Sequence, residues 1–254
     1  MAFSFDHAII AVNDLDAAMR NYEALGFTVM RGGEHASGST HNALICFSDG
    51  TYLELLAATG RAPQPGTTDF SPMLRNGEGF VGYALYSDDL AADIAVMRAR
   101  GIPVGDPQPG RRLRPDGVEL RWQSATINGS MAPFFIQDET PRAWRVPEST
   151  HLNGVFRMTG VYIVTPDLDA GAQRFTNLLN LRAERLGVGA SLYRYFTLGG
   201  LNLYLSAPND NASRQHYALH GDAPYEIHLE TYEELSPIIT PEKLHHARIQ
   251  IWAG

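Results

Sequence analysis

Cysteine is almost absent from this sequence of 254 residues, whose single example is Cys46. One cysteine excludes an internal disulfide and suits a reducing compartment, where we expect a buried structural thiol. No apolar run approaches the roughly 20 residues that a membrane-spanning helix needs. The first residues, MAFSFDHAIIAV, show neither the basic segment nor the cleavage site of a signal peptide. The sequence therefore predicts a cytoplasmic protein without a membrane partner.

Positive charge is scarce as well. The chain has 20 Lys and Arg against 28 Asp and Glu, which gives a formal net charge of −8. A nucleic-acid-binding protein would present a basic face or stripe, and the sequence shows none. The P-loop, HExxH, GxSxG and CxxC motifs are also missing. The GEGFVG at 77–82 precedes a strand instead of joining a strand to a helix, so it does not predict a dinucleotide site.

What the sequence does have is a repeated plan. Three segments each contain an apolar run, an Asp-Leu pair and a helical pattern that ends near Gly or Asn: 6–27, 81–102 and 159–181. The pairs begin at positions 14, 89 and 167, so the spacings are 75 and 78 (89−14 and 167−89). Asn13 or Asp14 is expected to cap the first helix. Strand-like runs with turn signals follow each helical pattern, so each copy predicts a βαβββ module.

The predicted fold class is α+β, with paired βαβββ modules forming cupped mixed β-sheets and helices on the outer face. Two domains are expected, and the assignment is as follows: residues 1–138 with modules 1–59 and 78–138, then residues 150–254 with module 158–208 and a partial module 224–254. Segments 60–72 and 139–153 are the predicted linkers. A sheet that is covered on one face must bury or use the other, so paired modules predict a small-molecule groove.

One charge stands out in the apolar hairpin at 39–58. With a two-residue turn at Asp49-Gly50, Ile45 pairs with Glu54. The alternation of side chains then puts Glu54 on the same face as Tyr52, away from the helix. A buried carboxylate needs a charged partner, a proton or a metal, whereas a partly solvated one at a groove rim does not. Without a metal, an apolar groove would raise the pKa of Glu54 and make it a general base.

Other polar residues are candidates for binding a substrate. In the same register His41 points to the face of Glu54, but four residues of strand separate them by about 13 Å. We therefore expect His41 to contact a substrate at the groove mouth and not to share a metal with Glu54. Tyr52 and Arg157 are further candidate contacts. His151 lies in a predicted linker that would fold back over a groove.

The stretch 6–57, DHAIIAVNDLDAAMRNYEALGFTV…THNALICFSDGTYLELLA, resembles the vicinal oxygen chelate superfamily and, within it, the glyoxalase-like branch that carries GTHN…F…DGTYLEL. PFFIQ at 133–137 and HLNGVFRMTGV at 151–161 are also similar to that branch. The resemblance implies a metal held by His7 on the first strand and Glu54 on the fourth. Glu54 is also the predicted catalytic residue. Such ligands suit Zn, Fe, Mn or Ni.

The second and third modules depart from the family pattern, because the Asp-Leu alignment puts Gly82 and Gly160 where the first module has His7. Two interpretations stay open. The first is a divalent-metal-dependent enzyme, of isomerase, lyase, hydrolase or dioxygenase type, that acts on a small oxygenated metabolite in the first-domain groove. The second is a metal-free binding protein of the bleomycin-resistance type. Either is compatible with a monomer or a homodimer.

Overall fold

The computed structural model describes residues 3–128, 130–189, 191–233 and 241–254. Eight strands close into a barrel: β1 (Ser4–Ala11), β2 (Met30–His35), β3 (Thr40–Cys46), β4 (Tyr52–Ala58), β5 (Gly79–Tyr86), β6 (Gln108–Leu113), β7 (Glu119–Ile127) and β8 (Ser130–Asp138). Six strands form a second sheet: β9 (Val155–Val164), β10 (Glu184–Val188), β11 (Ser191–Leu198), β12 (Leu201–Ser206), β13 (Pro224–Thr231) and β14 (Ile249–Ala253).

Five α-helices accompany these strands in the described ranges: α1 (Leu15–Ala24), α2 (Leu90–Ala99), α3 (Arg142–Arg145), α4 (Leu168–Leu179) and α5 (Asn211–His220). Two 3-10 turns lie at Ser71–Asn76 and Pro241–Leu244. None of the helices in these ranges is long and apolar enough to cross a membrane.

The Asp-Leu pairs mark helix starts. Asp14, Asp89 and Asp167 are the N-caps of α1, α2 and α4, and each side chain accepts a backbone N–H from the first turn, at 2.9, 3.0 and 2.9 Å. A capping carboxylate satisfies an N–H group that has no partner within the helix. Of the two expected caps for the first helix, the structure has Asp14.

The predicted fold class is confirmed, with one refinement in the first part of the chain. There the two halves do not remain an open cup but close into a barrel, with the strand order β1-β4-β3-β2-β6-β7-β8-β5. Antiparallel pairing of β1 with β5, and of β2 with β6, joins the halves. The second sheet has the order β10-β11-β12-β9-β13-β14. The expected domain boundaries and the duplication of the sequence stay predictions.

The two faces of the barrel strands have different roles. Apolar side chains on the outer face, such as Ile10 and Leu55, pack with the helices in one large core, which also includes residues of the second sheet. Side chains on the inner face, such as Ile9 and Leu56, belong to a separate cluster inside the barrel. Helices therefore cover the outside, and the inside is left to enclose whatever the inner face carries.

The β3–β4 hairpin differs from its prediction by one residue. Its turn has three residues, 48–50, because Phe47 N–H donates to the carbonyl of Thr51 at 2.9 Å. Asp49 stabilises this wider turn by accepting the Thr51 N–H at 2.8 Å. Leu44, and not Ile45, therefore lies opposite Glu54. A shift of one residue reverses the face of every side chain on a strand, so it moves residue 41 to the outer face.

Candidate functional site

The interior of the barrel contains a small cavity, called here the chamber. Its lining is His7, Ile9, His35, Asn42, Tyr52, Glu54, Leu56, Phe70, Arg112, Trp122, Phe134, Ile136 and Arg145. Its free volume is about 30 Å³, which leaves room for roughly two water molecules. The polar side chains around this space contact one another.

His7 lies between two carboxylates. A bulge in β1 between Phe5 and His7 places Asp6 beside the imidazole, and Asp6 Oδ2 is 2.6 Å from His7 Nδ1. On the other side, His7 Nε2 is 3.3 Å from Glu54 Oε2. Two carboxylates facing both ring nitrogens favour the doubly protonated imidazolium. Burial opposes the charged ring, but the hydrogen bonds with Asp6 and Glu54 outweigh it and raise the pKa of His7.

Glu54 has three polar neighbours. Besides His7, Asn42 Nδ2 donates to Glu54 Oε1 at 2.7 Å, and His35 Nε2 lies 3.7 Å from the same oxygen. Burial alone would raise the pKa of Glu54, but these neighbours lower it to about 2. The expected raised pKa is therefore wrong for the protein as it stands, because the groove is apolar only in part. Glu54 is a stable carboxylate.

Arg145 forms hydrogen bonds with three side chains on one side of the chamber. Its guanidinium donates to Asp6 Oδ2 at 2.8 Å, to Asp138 Oδ1 at 2.6 Å and to the Tyr52 hydroxyl at 2.7 Å. The Tyr52 ring stacks on the His7 ring with the centroids 4.4 Å apart. Arg145 is in α3, inside the segment that the sequence suggested was a linker. These contacts hold Asp6 ionised, with its pKa well below the usual range despite burial.

His35 and Arg112 enter the chamber from the β2–β6 pair, where they lie opposite each other. Burial lowers the pKa of His35 to about 4, so this imidazole is neutral near pH 7. Its Nδ1 is 3.0 Å from Thr40 Oγ1, and its ring packs on Phe70. Arg112 Nη1 donates to Asn42 Oδ1 at 2.7 Å, so Asn42 links Arg112 to Glu54.

The structure brings together three of the predicted site residues, His7, Tyr52 and Glu54, and leaves the other three outside the chamber lining. His41 is on the outer face, so the expectation that it shares the face of Glu54 is wrong. His151 is buried elsewhere, where its Nδ1 accepts the Thr28 N–H at 2.9 Å. Arg157 lies on β9 in the second sheet with 42% of its side chain exposed, and it pairs with Glu230.

Sequence reasoning missed five polar residues of the site: Asp6, His35, Asn42, Arg112 and Arg145. Two of them stood next to recognised features, since Asp6 precedes His7 and Asn42 belongs to the THN stretch of the family resemblance. Regular alternation would point Asp6 away from His7, and only the bulge in β1 changes that. The other three, His35, Arg112 and Arg145, reach the chamber because segments that are far apart in the chain pack together, and the sequence has no local signal for such packing.

The metal that the resemblance implies does not fit this arrangement. Throughout the described ranges, no three His, Cys, Asp or Glu side chains are placed to hold one metal ion. The two imidazoles approach different oxygens of Glu54, and Asn42 already donates to one of them. An imidazolium at His7 also has no free lone pair for a metal. The donor types would suit a transition metal, but their protonation and placement would have to change first.

The sequence model of the glyoxalase-like domain family matches residues 5–179. The chain belongs to the glyoxalase-like domain family. The match begins in β1 and runs through the whole barrel into α4, so the chamber of this glyoxalase-like protein lies within the matched part. The family resemblance stated from the sequence is thereby confirmed. No curated protein matches the chain.

Solved structures share the fold of this glyoxalase-like protein. A hypothetical protein from Staphylococcus aureus matches with a TM-score of 0.74 and 16% identity, covering 98% of this chain and 100% of its own. A triple mutant of 4-hydroxymandelate synthase from Streptomyces coelicolor matches at 0.59 and 15%, over 91% of this chain and 72% of its own.

A further match is a fusion protein of a xylose isomerase-like TIM barrel and 4-hydroxyphenylpyruvate dioxygenase. It has a TM-score of 0.54 and 19% identity, over 91% of this chain and 37% of its own. At these identities the likeness of all three proteins establishes the architecture and leaves the chemistry to the site itself.

Proposed function

We propose that this protein is an enzyme of isomerase or lyase type that moves a proton within a small oxygenated metabolite whose carbonyl group enters the chamber. The observation that supports this is the placement of His7 between Asp6 at 2.6 Å and Glu54 at 3.3 Å in a buried site. A proton donor and a carboxylate that contact each other in a cavity are the pair that proton transfer needs.

His7 is the proton donor in this proposal. Asp6 accepts from Nδ1 and orients the ring, so that the proton on Nε2 faces the chamber. Because the pKa of His7 is raised, the ring keeps this proton to a higher pH than a free imidazole does. A substrate carbonyl oxygen that replaces Glu54 as the acceptor takes up the Nε2 proton as negative charge develops on it.

Glu54 is the proton acceptor. Its low pKa depends first on His7, the largest of the influences that oppose burial. When a substrate oxygen takes the His7 proton, Glu54 loses that donor while burial still raises its pKa. The carboxylate then becomes basic enough to remove a proton from the carbon next to the carbonyl. One proton leaves carbon for Glu54 and one leaves His7 for oxygen, so the step is balanced.

A metal-free binding protein is the second candidate function. It is supported by the other half of the barrel, where apolar residues occupy the positions that match His7 and Glu54. Gly82 aligns with His7, and Phe134 lies opposite Ala84 just as Glu54 lies opposite Ile9. The expected divalent metal, whether Zn, Fe, Mn or Ni, is no part of the proposed step.

Deuterium exchange tests the proposal without knowledge of the substrate. Glycolaldehyde, hydroxyacetone, dihydroxyacetone, glyceraldehyde and pyruvate are incubated with the protein in D₂O, and proton NMR follows the C–H signal next to the carbonyl. We expect exchange with at least one compound and a loss of about 100-fold or more in Glu54→Gln and in His7→Gln. Glu226→Gln in the second sheet is the matched control and should exchange like wild type.

Three outcomes would contradict the proposal. Exchange that is equal in wild type and Glu54→Gln would remove Glu54 from the reaction. Exchange that EDTA abolishes and added Zn²⁺ or Mn²⁺ restores would favour the metal-dependent enzyme. Binding of the compounds without exchange of any of them would favour the binding protein.

A further inference from the structure

A second cavity lies against the chamber, next to α3, and is called here the vestibule. Its volume is about 220 Å³, and its lining includes four arginines, namely Arg31, Arg112, Arg114 and Arg145, together with Asp116 and Trp144. The protein as a whole has a formal net charge of −8. A concentration of arginines in an acidic protein is therefore a local feature of this surface.

The four arginines differ in how well they are neutralised. Arg145 contacts Asp6 and Asp138, and Arg31 is paired with an aspartate of α1. Arg114 has its Nη2 2.5 Å from Asp116 Oδ2. Arg112 is different, because within the described ranges it contacts no carboxylate, and its hydrogen-bond acceptor there is the neutral Asn42 oxygen.

Arg112 is also buried, with 3% of its surface exposed. Its Nε has no hydrogen-bond partner among the residues that the structure describes. Leaving a charged donor buried without an acceptor costs free energy, and an anion would remove that cost. Gly32 makes room for the group, since a Cβ there would collide with Arg112 Nη1 and Asn42 Oδ1.

The position of Arg112 connects the vestibule to the chamber. Arg112 and Arg145 line both cavities, so together they form part of the wall between them. Asn42 continues the link, because it accepts from Arg112 Nη1 at 2.7 Å and donates to Glu54 Oε1 at 2.7 Å. A negative group on the vestibule side of Arg112 therefore lies one side chain away from the carboxylate of the chamber.

We propose that the vestibule binds the carboxylate of a small organic acid, with Arg112 as its main contact and Arg114 at its rim. The planar guanidinium matches a carboxylate with two parallel hydrogen bonds. The volume suits a metabolite and not a polymer, and Trp144 offers an apolar surface to the carbon skeleton. The proposal rests on the function proposed above only in taking this acid to be the substrate whose carbonyl group enters the chamber.

Matched charged and neutral probes test this site directly. Oxalate and pyruvate are titrated against their neutral amides, oxamide and pyruvamide, in a Trp252→Phe background. In that background Trp144, which is 47% exposed, is the tryptophan that lines the vestibule, whereas Trp122 lines the chamber. We expect saturable changes in fluorescence with the acids and none with the amides.

Arginine variants then locate the binding. Arg112→Lys keeps the positive charge but loses the planar guanidinium that donates two parallel hydrogen bonds, and we expect it to weaken binding about ten-fold. Arg114→Gln at the exposed rim should weaken it about three-fold without disturbing the fold. Arg174→Gln, which removes an exposed arginine of α4 that is paired with Asp222, is the control and should leave binding unchanged.

Several results would overturn the proposal. The first is that neither acid causes a saturable change in fluorescence. The second is that the acids and their amides cause equal changes. The third is that Arg112→Lys and Arg114→Gln both bind the acids with full affinity. The Glu54→Gln variant separates this proposal from the preceding one, because it should lose proton exchange and keep oxalate binding. Oxalate binding in a wild-type protein that exchanges no proton would leave the vestibule standing while the proposed reaction fails.

Discussion

The barrel and the second sheet use the same strand plan but treat their inner faces in opposite ways. In the barrel this face carries Asp6, His7 and Glu54, all nearly inaccessible to solvent. In the second sheet the equivalent face carries Tyr162, Tyr204 and other side chains that remain half-buried. A cavity of about 640 Å³ opens over this face, against about 30 Å³ of free volume in the chamber.

The difference comes from closure of the ring of strands. In the barrel, β6 and β7 lie between β2 and β8 and complete the circle. In the described part of the second sheet, β10 and β14 are the two edges and no strand joins them. Closure removes water from the inner face, so charges there must neutralise one another. An open face leaves charged groups hydrated, so their pairing contributes less to the stability of the fold.

The largest effect expected from this contrast concerns matched carboxylates. Asp6→Asn removes the buried partner of Arg145, Arg142 and His7, and we expect it to lower the free energy of unfolding by about 3 kcal/mol or more. Glu230→Gln removes the partner of the more exposed Arg157 in the second sheet and should cost at most about 1 kcal/mol. Urea unfolding followed by circular dichroism measures both.

Equal losses of unfolding free energy in Asp6→Asn and Glu230→Gln would contradict the explanation that closure of the barrel makes charge pairing important for stability. A smaller loss in Asp6→Asn than in Glu230→Gln would reverse the comparison. The retained partner of Arg145, Asp138, keeps the first variant foldable, so that its stability remains measurable.

The next effect is a dependence on acid pH. The folded pKa of Glu54 is about 2, below its ordinary value of 4.5, so the carboxylate stabilises the fold above pH 4.5. This contribution, up to about 3 kcal/mol, is lost as the pH falls from 4.5 towards 2. Part of it is already lost at pH 3.5. Wild type should therefore lose more stability than Glu54→Gln between pH 5.5 and 3.5.

Glu226→Gln provides the comparison on the open face. His228 lowers the pKa of Glu226 against the effect of burial, but this carboxylate is only half-buried, so its removal should change the acid response less than Glu54→Gln does. Urea midpoints at pH 5.5, 4.5 and 3.5 measure the three proteins. Parallel pH profiles for wild type and Glu54→Gln would show that Glu54 titrates like an ordinary surface carboxylate.

The architecture was accessible from the sequence because its signals are local. An aspartate before each apolar stripe predicts a helix start, and Asp14, Asp89 and Asp167 are caps in the structure. Closure of the barrel depends on the pairing of Glu34 with Leu113, residues far apart in the chain. Nothing in either strand by itself indicates that they meet, so the sequence predicts a cup and the structure has a ring.

The site shows the same division between local and long-range signals. Glu54 stands out because one charge interrupts an apolar strand, and His7 follows from the family resemblance. The face of His41 was predicted wrongly because it depends on the length of the turn, which Asp49 sets through hydrogen bonds that spacing does not reveal. Arg145 was missed because its segment has the composition of a linker, although its side chain is buried in the barrel.

The smallest expected effect compares two hydroxyl groups. In the chamber the Tyr52 hydroxyl accepts from Arg145 Nη1 at 2.7 Å, whereas in the second sheet the Tyr204 hydroxyl accepts from Asn202 Nδ2 at 3.2 Å. Hydrogen bonds with buried charges contribute about 1.5–3 kcal/mol, and neutral ones about 1 kcal/mol or less where water competes. Tyr52→Phe should therefore lower the free energy of unfolding by about 2 kcal/mol and Tyr204→Phe by about 0.5 kcal/mol. Both changes remove one oxygen and keep the ring, so urea unfolding compares the two environments directly.

A loss of stability in Tyr204→Phe as large as that in Tyr52→Phe would mean that the open face holds its polar groups as tightly as the closed one, and closure would no longer explain the difference between the two regions.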